Sequence, residues 1–210
     1  DACSGGGGRM DYEMLKYFTE FWCSDDTDPY ERIYIQWGLS KFFPAKTMSS
    51  HVTNWNRNTS VKFRTDVCSS CKLGFDIDLK SLSAEEYQFV KQAVSNYDLM
   101  KPVIFDGDLY RLVSPYEGNH CAINYVSKDQ QRAVLFAFDL HPRYMEPLTN
   151  VRLQGLDPDR VYTVRETNLM PGKKSELTCD GKQYSGDYLM KVGLSVFTPR
   201  TGNSHVLILE

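Results

Sequence analysis

The chain has 210 residues, a mass of 24.1 kDa, 41% hydrophobic residues and a formal net charge of −3. With no run of Lys or Arg to make a basic face, it argues against a nucleic-acid partner; no apolar stretch nears the ~20 residues that cross a bilayer. The apolar content is enough for a packed core and argues against wholesale disorder, and the length suits one large domain or two small ones.

The chain opens at Asp1-Ala2-Cys3 with no methionine and runs straight into four glycines, Gly5 to Gly8, then Arg9. This beginning reads as a piece of a longer protein, which leaves compartment and targeting illegible. Four glycines permit positive φ and close backbone approach to a ligand, or equally a flexible linker. A phosphate loop is disfavoured because no Gly-Lys-Ser/Thr ending follows. Glu20 to Ser24 reads as a short strand. Asp28-Pro29-Tyr30-Glu31 then starts a helix: Asp28 as N-cap, Pro29 at the first position, Glu31 closing a capping box. That helix is expected to run to about Phe43, stopped by Pro44.

Thr47 to Val52 reads as a second strand, followed by a polar loop around Asn54 to Ser60. A helix is expected from about Lys62 to Lys72, stopped by Gly74. Ser83-Ala84-Glu85-Glu86 is another capping box, opening a helix with Tyr87, Val90, Val94 and Tyr97 on one face and ending before Pro102. Strand, helix, strand, helix is the grammar of an α/β unit. Beyond Val103 the rhythm changes to short strands and turns. Leu109–Val113, Ala122–Val126, Ala133–Asp139, Asn150–Leu153, Val161–Glu166, Tyr188–Val192 and His205–Leu209 are the candidates, and they suit an antiparallel β-sandwich. The fold class is therefore α/β plus all-β, divided into residues 1–101 and 102–210.

Six irregularly spaced cysteines do not resemble a secreted disulfide framework. Cys68-Ser-Ser-Cys71 lacks the two further ligands a zinc site needs, so buried free thiols are expected and no metal or cofactor. Asn58-Thr59-Ser60 fits a glycosylation sequon, a pattern common by chance. Aromatic side chains, including 13 Tyr and 3 Trp, suit the apolar face of a pyranose, although any single one more often fills the core.

Chemistry concentrates in Trp22-Cys23-Ser24-Asp25-Asp26-Thr27-Asp28. Three carboxylates crowd a strand exit, the position from which (β/α)8 barrels project functional side chains. Asp28 is accounted for as the N-cap. Of the other two, Asp25 lies nearer the strand end and Asp26 suits the turn. A carboxyl group crowded by carboxylates and set under an indole is a candidate general acid; the alternative is a solvated acidic turn.

The block Cys3-Ser-Gly-Gly-Gly-Gly-Arg9-Met-Asp11, followed by Trp22-Cys-Ser24-Asp25-Asp26-Thr27-Asp28, resembles the paired C-S-G-G-G-G-R-x-D and W-x-S-D-x-T-D motifs of glycoside hydrolase family 36. Arg32 to Gly38, Met48 to Val52, Leu73 to Asp78 and Tyr184 to Leu194 add weaker matches in order. The resemblance implies a retaining exo-acting α-galactosidase: an N-terminal β-sandwich, a (β/α)8 barrel and a C-terminal β-sandwich. By position this chain would supply the seventh and eighth barrel strands and the C-terminal sandwich. The resemblance assigns Asp25 as general acid/base. It places Cys3, Gly5 and Gly6 against galactose, with Trp22 lining the pocket and Arg9 as a further pocket residue.

The family's nucleophile, in a K-W-D-x-N-like motif, has no counterpart in this sequence, so the isolated chain is expected to be inactive on α-galactosides. The implied partner is a galactose-containing oligosaccharide, with a homo-oligomeric parent. Met10 replaces the usual aromatic, Cys23 stands for a small hydroxyl residue, and Met170 to Lys182 resembles an insertion. Competing readings are an α-N-acetylgalactosaminidase or galactosyl-transferring parent, and a non-catalytic carbohydrate-binding module built on the β half.

Overall fold

A computed structural model describes residues 2, 3, 5–54 and 59–210. The sequon asparagine and most of the polar loop expected around Asn54 to Ser60 lie outside them, as does Ser4.

Three parallel strands form the first sheet, in the order β1 (Phe21–Trp22), β2 (Met48–Val52), β3 (Lys72–Phe75). Ala2 adds an isolated parallel bridge to Phe21 on the outer edge of β1. Helices α1 (Pro29–Leu39) and α2 (Val61–Ser69) connect β1 to β2 and β2 to β3, and α3 (Ala84–Asp106) follows. Parallel strands joined through helices are the repeating unit of a (β/α)8 barrel, and three consecutive strands of one are present.

The start of α1 follows local chemistry. Asp28 Oδ1 accepts from the backbone N–H of Tyr30 (2.9 Å) and of Glu31 (3.4 Å), with Pro29 in the first position. The backbone N–H of Asp28, which a capping box would give to Glu31, donates to Asp26 Oδ1 at 2.9 Å instead. At α3 the reciprocal capping box between Ser83 and Glu86 forms as expected.

Several elements differ from the sequence reading. Helix α1 stops at Leu39, four residues early, and turns carry the chain to Pro44. Helix α2 stops at Ser69, and Lys72–Phe75, read as its tail and stop, is a strand; the chain therefore supplies three parallel strands rather than two. Gly74 serves β3 rather than ending a helix, because a Cβ there would overlap the imidazole of His51. Helix α3 continues through Pro102: the proline ring faces solvent, and the extra turn buries Val103 and Ile104. Burying those two side chains offsets the lost helical hydrogen bond. Tyr87 and Val94 lie on its exposed side, while Phe89, Val90, Ala93, Tyr97 and Met100 are buried.

The second half is a six-stranded antiparallel sheet. Its strands are β4 (Asp108–Val113), β5 (His120–Val126), β6 (Ala133–Asp139), β7 (Val161–Thr167), β8 (Gln183–Ser185) and β9 (Asn203–Leu209), in the order β4-β5-β6-β9-β7-β8. Asn150–Leu153 contributes only the bridge Val151–Leu194. Tyr188–Val192 is not a strand but lies in and after helix α4 (Gly186–Lys191), where Ser185 caps the N-terminus and Asp187 pairs with Lys191. A short apolar run does not reveal its own period.

One sheet face packs on Val151, Leu153, Leu189, Leu194 and Val196. The other packs on Tyr30, Ile33, Phe63, Val67, Tyr97 and Ile104 of the three long helices. The β half is thus a layer against the barrel helices. His141 stacks on Tyr30 (5.2 Å, 8°), and Lys62 donates to the Ser204 carbonyl at 2.8 Å.

Candidate active site

Parallel strands bring their C-terminal ends to one side, so the exits of β1, β2 and β3 share a face with the N-termini of α1 and α2. Ala2 runs beside β1: its N–H donates to the Glu20 carbonyl (2.8 Å) and its own carbonyl accepts from Trp22 (3.2 Å). Cys3 therefore leaves level with the end of β1, and the glycines turn back over it. Gly5, Gly6 and Gly7 have φ of +79°, +54° and +91°, conformations that side-chain-bearing residues adopt only with strain. A Cβ on Gly7 would overlap the Cys23 carbonyl, and one on Gly6 would stand 3.3 Å from Asp25 Oδ2.

Gly6, Trp22 and Asp25 meet directly. The Trp22 indole Nε1–H donates to Asp25 Oδ1 at 2.9 Å, while Oδ2 faces Gly6. Cys3 and Gly5 belong to the same turn and are exposed, as is Arg9 at its exit. Asp25 and Asp26 are exposed and Trp22 is half-buried. Asp26 acts as a turn residue, its N–H bonded to Ser24 Oγ and its carboxylate to the Asp28 N–H.

The residues that hold this cluster come from the neighbouring strands and helix. Arg32 of α1 is fully buried. Its guanidinium lies 4.9 Å from the Trp22 ring centre, and Nη2 donates to the Ser24 carbonyl at 2.7 Å. His51 of β2 meets the edge of the same indole at 4.8 Å and 63°. Burial lowers the pKa of His51, and Arg32 adds to that effect against the opposing pull of Asp76 and Glu20. The hydroxyls of Thr27 and Thr53 share a 2.8 Å bond between the two strand exits. Arg32 and His51 stood in the weaker sequence blocks, but their meeting on Trp22 needed the tertiary structure.

All six cysteines are free; Cys3 is exposed and the other five are buried. Burial pushes Cys23 and Cys68 up to about 11, so they pack as neutral thiols. Among the described residues no cluster of His, Cys, Asp and Glu could hold a metal ion.

Comparison with known proteins places the chain in a family. Residues 1–107 match the Melibiase family model, and residues 120–209 match that of the glycosyl hydrolase family 36 C-terminal domain. A probable alpha-galactosidase G of Aspergillus terreus is 35% identical over the whole of this chain and 28% of its own length. Alpha-galactosidase AgaA of Geobacillus stearothermophilus is 34% identical over 93% of this chain and 26% of its own. The crystal structure of AgaB, a GH36 alpha-galactosidase from Geobacillus stearothermophilus, superposes with a TM-score of 0.86 at 35% identity, over 99% of this chain and 28% of its own. A variant of AgaA in complex with raffinose superposes at 0.87 and 33% identity, with the same coverage. The chain thus spans little more than a quarter of the relatives it matches.

Proposed function

The chain belongs to glycoside hydrolase family 36, and on that premise we propose that it is the part of a retaining exo-α-galactosidase that carries the general acid/base, Asp25. The observation that carries this reading is the setting of its carboxyl group. It stands at the exit of a barrel-type strand, with one oxygen held by the Trp22 indole and the other turned to the glycine turn. Residues 1–101 then form the end of the catalytic barrel and residues 102–210 the C-terminal sandwich.

In this mechanism a carboxylate outside the present sequence attacks the anomeric carbon. The glycosidic C–O bond breaks and Asp25 gives its proton to the departing oxygen. Water then attacks the galactosyl-enzyme, Asp25 takes its proton, and the α configuration returns. Oδ1 accepts from Trp22, so Oδ2 is the oxygen that carries the proton, on the side of Gly6. Cys3, Gly5 and Gly6 bind the galactose from the turn, Trp22 lines the pocket and Arg9 stands at its edge. The substrate is a galactose-containing oligosaccharide; raffinose and stachyose occupy crystal structures of AgaA variants. The parent is a homo-oligomer.

The test is Asp25→Ala in the full-length protein that contains this chain. Activity on raffinose should fall by about two to four orders of magnitude, the range for general acid–base catalysis. Azide, which needs no general base, should restore turnover of an activated aryl galactoside as α-galactosyl azide, the product of a second inversion at the anomeric carbon. Undiminished hydrolysis of raffinose would remove Asp25 from the reaction.

A further inference from the structure

Resting on Asp25 as the proton-transferring group, we infer that Arg32 is the positioning residue that aims its carboxyl group, through Trp22 and the Ser24 carbonyl.

Arg32 lies four residues after the Asp28 cap, and its N–H donates to the Asp28 carbonyl at 2.8 Å. Helical side chains lean toward their own N-terminus, which carries the guanidinium back under the exit of β1. It is 0% exposed. Among the described residues no carboxylate forms an ion pair with it. Among the described residues its partners are the Ser24 carbonyl at 2.7 Å, the Ser49 carbonyl at 3.4 Å, the neutral Cys23 thiol and the face of Trp22. Its Nε–H is buried without a hydrogen-bond partner.

A buried cation that no described carboxylate pairs with is an expensive way to fill space; a well-packed apolar side chain of similar volume is often the more stable choice. What Arg32 supplies is geometry. The Ser24 carbonyl belongs to the peptide group whose nitrogen is that of Asp25, so the 2.7 Å bond fixes the backbone from which the carboxyl group projects. The cation on its face and His51 at its edge clamp the Trp22 indole, whose Nε1–H holds Oδ1. One guanidinium thus holds both the Ser24 carbonyl and the face of Trp22. The planar fork permits this; an ammonium offers neither the flat face nor the divergent donors.

The experiment compares two substrates in the full-length protein containing this chain. Raffinose loses sucrose, a poor alkoxide leaving group that needs the proton of Asp25. Dinitrophenyl α-galactoside loses a stable dinitrophenolate that does not. Arg32→Met should lower kcat/KM on raffinose by about 100-fold, the lower end of what a general acid contributes, while changing the dinitrophenyl substrate by less than about threefold. An equal fall on both substrates, or no fall on raffinose, overturns the inference. If Arg32→Met does not fold, Arg32→Lys keeps the charge without the fork and is read by the same criterion. Asp25→Ala serves as the reference. A split there but not in the Arg32 variants sinks the role of Arg32 alone; no split in Asp25→Ala sinks the acid/base reading with it.

Discussion

Gly6 and Asp25 face each other so closely that a Cβ on the glycine would stand 3.3 Å from Oδ2 of the aspartate, and the glycine holds φ at +54° to do so. Gly6→Ala therefore combines crowding at the proposed proton-carrying oxygen with left-handed strain worth about 1–2 kcal/mol. In the full-length protein kcat/KM on raffinose should drop by about tenfold or more, since small misplacement of reacting groups is costly. A Cβ on Gly5 would meet no atom within 4 Å, so Gly5→Ala should show the backbone strain in thermal unfolding without crowding Asp25 Oδ2.

A second prediction concerns the joint between the two halves. The fully buried Asp66 of α2 accepts from Lys62 Nζ (2.5 Å), Ser204 Oγ (2.7 Å) and Asn168 Nδ2 (2.8 Å). Asp66→Ala would leave a largely buried ammonium and two polar groups without their acceptor. Urea unfolding of the 210-residue chain should show a loss of about 3–5 kcal/mol, as for other broken buried pairs. Asp66→Asn, which keeps one acceptor, should lose less.

The same region supplies a pH dependence. Burial would raise the Glu166 pKa, but the hydrogen bond and charge of His205, with Ser175 and Lys62, outweigh it, and the net shift is downward from 4.5. A carboxyl group whose folded pKa is depressed contributes stability above its unfolded value and loses it as pH falls through the folded value. Stability should therefore decline as pH drops below about 4.5. Glu166→Gln should flatten that acid limb when unfolding is followed from about pH 6 to about pH 3.

Helix α1 offers a test of local origin. Asp28 accepts from the N–H groups of Tyr30 and Glu31, so Asp28→Ala should destabilise the chain by about 1–2 kcal/mol. Because the helix carries Arg32, the same variant should also weaken the Trp22–Asp25 contact, visible as a shift of the Trp22 indole N–H resonance. An unchanged resonance would separate the cap from the site.

Strand edges give a last prediction. Among the described residues β3 pairs only with β2, and β1 has only the Ala2 bridge on its outer side. Open edges invite pairing with another chain. Light scattering of the isolated chain should report a mass above 24.1 kDa; a monodisperse monomer would contradict this.

Much of this protein was local and therefore legible. Asp28, Pro29 and Ser83 announce helix starts because a cap is satisfied within three residues, and Ala133–Asp139 announces a strand by its apolar run. The glycine run and the Trp22–Asp28 block carried the family and the acid/base candidate, since both are contiguous in sequence. The tertiary structure decided the rest, because the deciding contacts join residues far apart in the chain. Lys72–Phe75 is a strand because β2 offers it an edge, and Tyr188 starts in a helix because Ser185 caps it. Gly74 is glycine because of His51, and Trp22 is held by Arg32 and His51 from different elements. A residue's local pattern shows what it can form; only the folded neighbours decide which side chain fills its space and answers its charge.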